Sequence, residues 1–388
     1  MSKSKQKLSA SISRFLNRLN MVLGWLELGW PKKPFARKIV VGIIALAMII
    51  VGTMYAIAQW YISKHKSEPL VIGATFVPNY ARFFKLDPKD TFDAAIDDLG
   101  IKRFRVVSYW DIGEPIPGQY DFSDLDWQFQ KSEEKDVDIS LAIGLRQPRW
   151  PECHMPKWAA GLPKEQWRER LKTYMQKVIE RYKDSPALVS YQLENEYFLE
   201  VFGECPDHSR ERLIDEFNFV KSLDPTKPVI ITRSDNALPS WPVGEPRSDI
   251  NGASVYKRVW DKTVTNRYFE YPYPAWFYAF LAGGAELTTG RNTFIHELQT
   301  EAWLPDKEGF SLGFKKSYYN MDEVFSIREQ NKSLDAGRLA KRFDYGVGTG
   351  MRTIDVWGVE WWYWRKLKAA DSSLWDTAKQ KIEQYNSQ

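Results

Sequence analysis

Two stretches of the sequence place carboxylates directly after apolar runs. The run ALVSYQL, residues 187–193, is followed by Glu194, Asn195 and Glu196, and the run NTFIH, residues 292–296, is followed by Glu297. An ionised carboxylate removed from water is unfavourable unless it finds partners or its pKa changes. Two carboxylates that face each other across one cavity, one protonated to donate and one ionised to attack, are what the cleavage of a glycosidic bond requires.

The elements that would position these carboxylates follow from the hydrophobic pattern. From about residue 68 onward, short apolar runs alternate with amphipathic helical patterns, which predicts βα units and a parallel sheet. Eight such repeats predict an α/β fold, the (β/α)8 TIM barrel. The predicted strands are 70–77, 102–110, 137–145, 187–196, 228–234, 250–256, 292–298 and 353–362.

A doubly wound open sheet is the alternative fold. It would normally carry a glycine-rich phosphate loop after its first strand, and the residues there, GATFVPNYARFF, do not form one. In a TIM barrel, polar residues at the carboxyl ends of the strands form the site. Glu196 ends the fourth predicted strand and Glu297 ends the seventh, so both are predicted to lie at one barrel mouth.

The residues around these carboxylates resemble clan A glycoside hydrolases, which are retaining TIM-barrel glycosidases. The stretch QLENEYF is similar to the acid/base motif of that clan, with Glu-Asn-Glu-Tyr especially like its β-galactosidases. GIKRFRVVSYWDIGEPIPGQYDFSDLD is similar to the second strand and following loop of cellulase-like and β-galactosidase-like members, and HELQTEAW fits the seventh strand. The resemblance covers nearly all of residues 70–364. It implies a retaining hydrolase of β-glycosidic bonds that needs no cofactor and no metal.

The resemblance also implies roles for individual residues. Glu196 would be the general acid/base and Glu297 the nucleophile, with Glu301 as the alternative nucleophile four residues later. Asn195 would bind the sugar 2-hydroxyl, and Arg105 would hold Glu297 ionised. The other residues expected to bind substrate are Tyr256, which would donate to the nucleophile, and the aromatic platforms Trp150, Trp361 and Trp362.

Other polar residues are expected to serve the structure. Glu194 is predicted to be an ion-pair partner at the barrel mouth, and His154 and His296 are predicted to be hydrogen-bonded structural residues. Glu360 is predicted to support the site from behind. The two cysteines, Cys153 and Cys205, could pair in an oxidising compartment, but the sequence leaves this open. These cysteines and the four histidines lack metal-ligand spacing.

Residues 39–62 carry no charge and are numerous enough to form a transmembrane helix. A basic tail, residues 1–38, precedes this segment and predicts a cytoplasmic N-terminus. Residues 63–69 would form a juncture, and residues 70–388 would form the glycosidase-like domain outside the cytoplasm. The alternative is a cleaved signal peptide, since Ala56-Ile57-Ala58 resembles a cleavage site. The amphipathic pattern within the tail predicts either a helix on the inner membrane surface or an irregular segment.

The charge and tryptophan content of the sequence limit the classes of partner that we expect. The first 38 residues hold nine lysines and arginines against one acid, whereas the whole chain has a net charge of +4, so the rest is slightly acidic and predicts no nucleic-acid partner. The 17 tryptophans suit stacking on sugar rings. We therefore expect an oligosaccharide or polysaccharide substrate and, through residues 39–62, the lipid bilayer. An inactive carbohydrate-binding barrel and a transglycosylase are the alternative functions.

Overall fold

The computed structural model describes residues 34–149, 151–199, 205–234, 244–261, 265–304 and 327–386. Trp150 and most of the basic tail therefore lie outside the described residues.

Eight parallel strands close into a barrel: β1 (Val71–Phe76), β2 (Arg103–Val107), β3 (Asp138–Ile143), β4 (Leu188–Leu193), β5 (Val229–Ser234), β6 (Ile250–Val255), β9 (Thr293–Gln299) and β10 (Thr353–Trp357). Their order around the barrel is β1-β10-β9-β6-β5-β4-β3-β2. A small antiparallel hairpin, β7 (Arg258–Asp261) and β8 (Arg267–Glu270), follows β6. The predicted (β/α)8 barrel is confirmed.

Helices follow the strands on the outside of the barrel. The described helices are α1 (Pro34–His65), α2 (Pro78–Phe83), α3 (Pro88–Asp97), α4 (Trp110–Gly113), α5 (Ser123–Lys135), α6 (Lys164–Tyr182), α7 (Arg210–Leu223), α8 (Ala275–Thr289), α9 (Ile327–Ser333), α10 (Ala336–Val347), α11 (Val359–Lys368) and α12 (Ser373–Asn386). Several begin where the sequence provides a cap: Asp87 accepts hydrogen bonds from the backbone of α3, and Ser209 and Asp335 do the same for α7 and α10. Each barrel strand is almost wholly buried, as expected for a parallel sheet covered by helices, whereas the hairpin strands β7 and β8 are partly buried or exposed.

Several strands end earlier than the sequence pattern indicates, and two of these ends, those of β10 and β4, lie next to candidate site residues. β10 ends at Trp357 and not at residue 362, because Gly358 takes a left-handed conformation (φ 109°) and the next residues begin helix α11. β4 ends at Leu193, so that Glu194, Asn195 and Glu196 lie in the loop, with Glu194 and Glu196 at positive φ. Both differences change which side chains reach the barrel mouth.

The chain divides into two compact units, Met1–Ala56 and Ile57–Gln388. In the first unit the structure describes only the helical residues from Pro34 onward. Residues 37–65 of α1 are long and apolar enough to cross a membrane, by length and composition.

The second unit starts with the last turns of α1 and contains the barrel. Ala58 and Tyr61 are buried, and the Tyr61 hydroxyl donates to Asn292 Oδ1 at 3.3 Å. His65, also buried, contacts Glu68 at 2.7 Å and Glu286 at 2.8 Å. The barrel unit thus begins about a dozen residues before the predicted boundary at residue 70.

Candidate active site

Glu297 lies inside the barrel mouth and is held by two donors. Its side chain, on β9, is buried, and Arg105 Nη2 donates to Oε1 at 2.8 Å. The hydroxyl of Tyr256, directly after β6, donates to Oε2 at 2.9 Å. Burial and the charge of Glu297 raise the pKa of Tyr256 well above its ordinary value, so the phenol stays protonated and donates. Both oxygens of this carboxylate therefore accept hydrogen bonds, one of them from a charged donor.

Arg105 is itself fixed by residues of the barrel wall. It is fully buried on β2, donates through Nε to Thr75 Oγ1 on β1 at 2.9 Å, and through Nη1 to Gln192 Oε1 on β4 at 3.1 Å. The three contacts leave the guanidinium little freedom. Its position therefore sets the position of Glu297.

Glu196 occupies a different environment. It is buried, its backbone N–H donates to Thr232 Oγ1 at 2.8 Å, and its Oε1 has no hydrogen-bond partner among the described residues. Burial, followed by the negative charges of Glu297 and Glu152, raises the pKa of Glu196 to about 8. At neutral pH Glu196 is therefore mostly protonated, as a general acid must be.

Asn195 connects the two carboxylate environments. Its Oδ1 accepts a hydrogen bond from Gln192 Nε2 at 2.9 Å, and Gln192 also binds Arg105. Hydrogen bonds through Gln192 thus link Asn195, Arg105, Glu297 and Tyr256. Glu196 adjoins this network through Thr232 Oγ1, which accepts from the Glu196 backbone N–H and donates to Asn195 Oδ1 at 3.4 Å.

Glu152 is a third carboxylate of this site that the sequence analysis missed. Arg146 Nε donates to Glu152 Oε2 at 2.8 Å. Burial raises the pKa of Glu152 to about 7, and the charge of Glu297 adds to the effect, although Arg146 opposes it. The residue lies in an irregular loop after β3, where no hydrophobic period points to it. The sequence feature that could have pointed to Glu152 was the neighbouring cysteine, Cys153.

A disulfide holds this loop. Cys153 and Cys205 are bonded, with their Cα atoms 5.4 Å apart, which resolves the pairing left open by the sequence. The bond joins the loop after β3 to the loop after β4. The disulfide therefore restrains the loop that carries Glu152 relative to the loop that carries Glu196.

Glu194 has the structural role expected of it. Its carboxylate accepts hydrogen bonds from the backbone N–H groups of Leu145 (2.6 Å) and Arg146 (3.0 Å) and pairs with buried Arg212 at 3.1 Å. The same carboxylate lies against Gly144, where a Cβ would be 2.4 Å from Glu194 Oε1. Glu194 thus ties the loops after β3 and β4 together and has no free oxygen for a substrate.

The tryptophans are arranged differently from the prediction. Trp361 and Trp362 are buried on α11, where their indole N–H groups donate to Gln330 Oε1 at 3.1 Å and to the Thr300 carbonyl at 2.7 Å. They do not lie at a strand end. Trp357, the last residue of β10, is only partly buried and lies with its ring 5.6 Å from the Arg105 guanidinium. Trp150 lies outside the described residues.

The remaining polar candidates have protein partners. Glu301 accepts from the Tyr80 hydroxyl and pairs with Arg149 at 2.9 Å, and Glu360 accepts from the Val77 backbone N–H at 2.7 Å. His296 contacts Asp355 inside the barrel, and burial lowers its pKa to about 4, so it is neutral. His154 contacts Asp111 at 3.2 Å.

No group of three or more histidine, cysteine, aspartate or glutamate side chains is arranged to hold a metal ion within the described ranges.

Comparison with known proteins supports the fold. No family model and no curated protein sequence matches the chain. Among solved structures, a GH5_18 protein from Streptomyces cattleya, in complex with GlcNAc, has a TM-score of 0.56 at 11% identity over 82% of this chain and 81% of that chain. Gan42B, a GH42 β-galactosidase from G. stearothermophilus, has a TM-score of 0.52 at 12% identity over 82% of this chain and 56% of that chain.

A β-galactosidase from Rahnella sp. R3 is similarly related, with a TM-score of 0.51 at 13% identity over 83% of this chain and 56% of that one. The chain spans little more than half the length of these β-galactosidases. The structural neighbours are glycoside hydrolases built on the TIM barrel, so the fold implied by the resemblance in sequence is confirmed. At these identities the likeness concerns the fold, and the chemistry has to be argued from the site.

Proposed function

We propose that this protein is a retaining glycosidase that cleaves β-glycosidic bonds. The observation that carries the proposal is the contrast between two buried carboxyl groups at the barrel mouth. Both oxygens of Glu297 accept hydrogen bonds, from Arg105 and Tyr256, whereas burial and neighbouring charges raise the pKa of Glu196 to about 8. One group is thus ready to attack and the other is ready to donate a proton.

The reaction proceeds in two displacements. Glu297 attacks the anomeric carbon while Glu196 transfers its proton to the departing glycosidic oxygen, which leaves a glycosyl ester on Glu297 and an ionised Glu196. Glu196 then takes a proton from a water molecule as that water attacks the anomeric carbon. The ester bond breaks, the sugar leaves with retained configuration, and both carboxyl groups return to their starting states.

The neighbouring residues support this sequence of steps. Asn195, held by Gln192, would bind the 2-hydroxyl of the reacting sugar through a hydrogen bond that strengthens as positive charge develops on the ring. Trp357, and not Trp361 or Trp362, is the strand-end aromatic ring available to the sugar. Glu152 adds negative charge that stabilises the oxocarbenium-like transition state and helps to keep Glu196 protonated.

A pair of glutamine variants tests the assignment of the nucleophile. Turnover of aryl β-glycosides is expected to fall by at least about 10⁴-fold in Glu297→Gln, because the ester cannot form. The matched variant Glu301→Gln should fall far less, since Glu301 is held by Tyr80 and Arg149. The panel should begin with β-galactosides and β-N-acetylglucosaminides, given the β-galactosidases and the GlcNAc-bound protein among the structural neighbours.

The same panel separates the other functions. Undiminished turnover in Glu297→Gln would refute the assignment. Longer oligosaccharide products would identify a transglycosylase, because a sugar hydroxyl would then replace water in the second step. Binding of oligosaccharides without any release would identify a carbohydrate-binding barrel.

We also infer that the protein is anchored in a membrane, with the barrel outside the cytoplasm. The uncharged segment within α1 supports the anchor, and the lysines and arginines before it support a cytoplasmic N-terminus. The Cys153–Cys205 disulfide is in keeping with an oxidising compartment for the barrel.

A further inference from the structure

A cluster of five side chains lies across one side of the barrel mouth. The Arg149 guanidinium is buried, 3.3 Å from the centroid of the Tyr80 ring and 4.5 Å from that of Trp357. It pairs with Glu301 at 2.9 Å and with Glu360 at 3.5 Å. We call Arg149, Tyr80, Trp357, Glu301 and Glu360 the Arg149 cluster.

The cluster joins loops from four parts of the barrel. Arg149 lies in the loop after β3, Tyr80 in α2 after β1, Glu301 just after β9, and Trp357 and Glu360 at and after the end of β10. Since β2 and β1 separate β3 from β10 in the ring, the loop after β3 reaches across both to make these contacts. The Arg149 cluster therefore covers the barrel mouth on the side of β10 and β1.

The charge of Arg149 is already compensated within the cluster. Glu301 and Glu360 lie on one guanidinium, and Glu360 is fixed in turn by the Val77 backbone N–H. A buried guanidinium that has two carboxylate partners and two aromatic rings packed against it is not left available for an anionic ligand. The Arg149 cluster therefore forms a closed wall of the barrel mouth, called the wall below, and does not provide a site for an acidic sugar.

The backbone of Arg149 also has an unusual conformation in this arrangement. Arg149 has a φ of 77°, in the left-handed region that is unfavourable for a residue with a long side chain. Its carbonyl accepts a hydrogen bond from the Glu152 N–H at 2.8 Å, which closes a tight turn next to the disulfide. Unfavourable backbone conformations that the surrounding structure maintains are concentrated at functional sites.

The position of the wall relative to the two carboxyl groups decides which part of a substrate it meets. In the ring of eight strands β10 lies opposite β4, so the Arg149 cluster lies across the mouth from Glu196. In the proposed reaction Glu196 protonates the leaving oxygen, and the leaving group therefore lies on the side of Glu196. The sugar that is transferred to Glu297 points the other way, toward Trp357 and the wall.

We propose, on the basis of the glycosidase activity argued above, that the site admits a single sugar beyond the cleaved bond. The protein then removes one residue at a time from the non-reducing end of β-linked chains. A chain that continued past the reacting sugar would have to pass through Arg149, Tyr80 and Glu301. The substrate class is thus the terminal β-linked sugar of an oligosaccharide or glycan.

The test compares 4-nitrophenyl glycosides that carry one sugar or two. The full chain in detergent is incubated with the β-galactoside and the β-lactoside, the β-glucoside and the β-cellobioside, and the β-N-acetylglucosaminide and the β-chitobioside, and the released sugars are separated by chromatography. The expected result is direct release of nitrophenol from a one-sugar glycoside. From the matching two-sugar glycoside the terminal monosaccharide should appear first, with intact disaccharide at least about 100-fold less abundant.

Release of intact disaccharide together with nitrophenol by the unaltered protein would overturn the inference while leaving the glycosidase activity in place. Absence of release from every glycoside would overturn the glycosidase activity, and the inference with it.

Removal of the wall provides a second test. Arg149→Ala should increase the release of intact disaccharide at least about tenfold relative to release of the terminal sugar. Arg82→Ala, which removes an exposed arginine paired with Asp124, is the control and should leave the product pattern unchanged. Because Arg149→Ala leaves two buried carboxylates without their cation, the double variant Arg149→Ala/Glu301→Gln is made in parallel. An unchanged product pattern in folded variants contradicts the role of the wall.

Discussion

Two glutamates of the same chemical type acquire different properties from their surroundings. Glu297 receives a guanidinium and a phenol, whereas Glu196 has an oxygen without a partner among the described residues and two other carboxylates near it. Desolvation and like charges favour the neutral acid, and a paired guanidinium favours the ion. The division of roles therefore comes from the neighbours and not from the residue type.

The pKa of Glu196 predicts the alkaline side of the activity profile. A general acid with a pKa of about 8 is protonated below that value, so kcat/KM for aryl glycosides should fall as the pH rises through about 8. Glu152→Gln removes one of the negative charges that raise this pKa. The alkaline limb should then move to lower pH by roughly 0.5 to 1 unit. The measurement is kcat/KM from pH 5 to pH 10 for both proteins.

Asp138→Asn is a suitable control because Asp138 lies at the start of β3, away from the mouth, and should leave the limb in place. If the alkaline limb of the kcat/KM profile moves to higher pH or stays in place in Glu152→Gln, the electrostatic role of Glu152 is refuted.

The sequence was sufficient to predict the residues that follow from strand periodicity. Glu196 and Glu297 follow apolar runs, so counting strands was enough to predict that both lie at the barrel mouth, whereas Arg105 and Tyr256 were expected only from the resemblance to clan A glycoside hydrolases. Glu152 could not be predicted in this way, because its loop follows no period, and its partner Arg146 and the charges of Glu196 and Glu297 come near it only in the folded chain. Arg149 was missed for the same reason.

At the scale of the elements, the end of β10 decides which tryptophan reaches the site. The apolar run from Thr353 appeared continuous through residue 362, but Gly358 ends the strand and α11 begins immediately afterward. Trp361 and Trp362 then face the protein interior, and Trp357 remains at the mouth. The error came from extending a two-residue period past a glycine whose left-handed conformation the pattern does not reveal.

Substitution of individual tryptophans should separate these roles. Trp357→Ala should raise KM for aryl β-glycosides by about tenfold, because a stacking contact with the sugar of about 1 kcal/mol or more is lost. Trp361→Ala should instead lower the free energy of unfolding by about 3 to 5 kcal/mol, because a buried indole is replaced by a cavity. The measurements are Michaelis parameters and chemical denaturation for each variant. An increase in KM that is confined to Trp361→Ala would reverse the assignment.

At the scale of the whole molecule, the apolar helix and the barrel unit share residues. The barrel unit begins at Ile57, and Tyr61 and His65 of α1 are buried within it. The Cβ atom that would replace a hydrogen of Gly283 lies 3.0 Å from Tyr61, so α8 and the end of α1 are closely packed. The segment predicted as a span and a juncture therefore also contributes to the stability of the barrel.

Two truncated chains test which part of α1 holds the protein in the membrane and which part supports the barrel. The full chain should stay with membranes under alkaline carbonate, and a chain that starts at Ile57 should be soluble and keep its turnover. A chain that starts at Glu68 loses the buried Tyr61 and leaves Glu286 without His65, so its free energy of unfolding should be lower by about 2 to 5 kcal/mol. Fractionation and chemical denaturation provide the measurements. Equal stability of the two truncated chains would show that residues 57–67 do not support the barrel.

The anchoring of Arg105 has a consequence for redesign. All three of its side-chain partners, Thr75, Gln192 and Glu297, belong to barrel strands, so the contact through which Arg105 holds the attacking group does not depend on any loop. Arg149 and the loop that follows β10 can then be varied to admit longer glycans, while Glu152 and the ester-forming step are kept. A laboratory evolution library confined to those positions should yield variants with new chain-length preferences from one unaltered reaction centre.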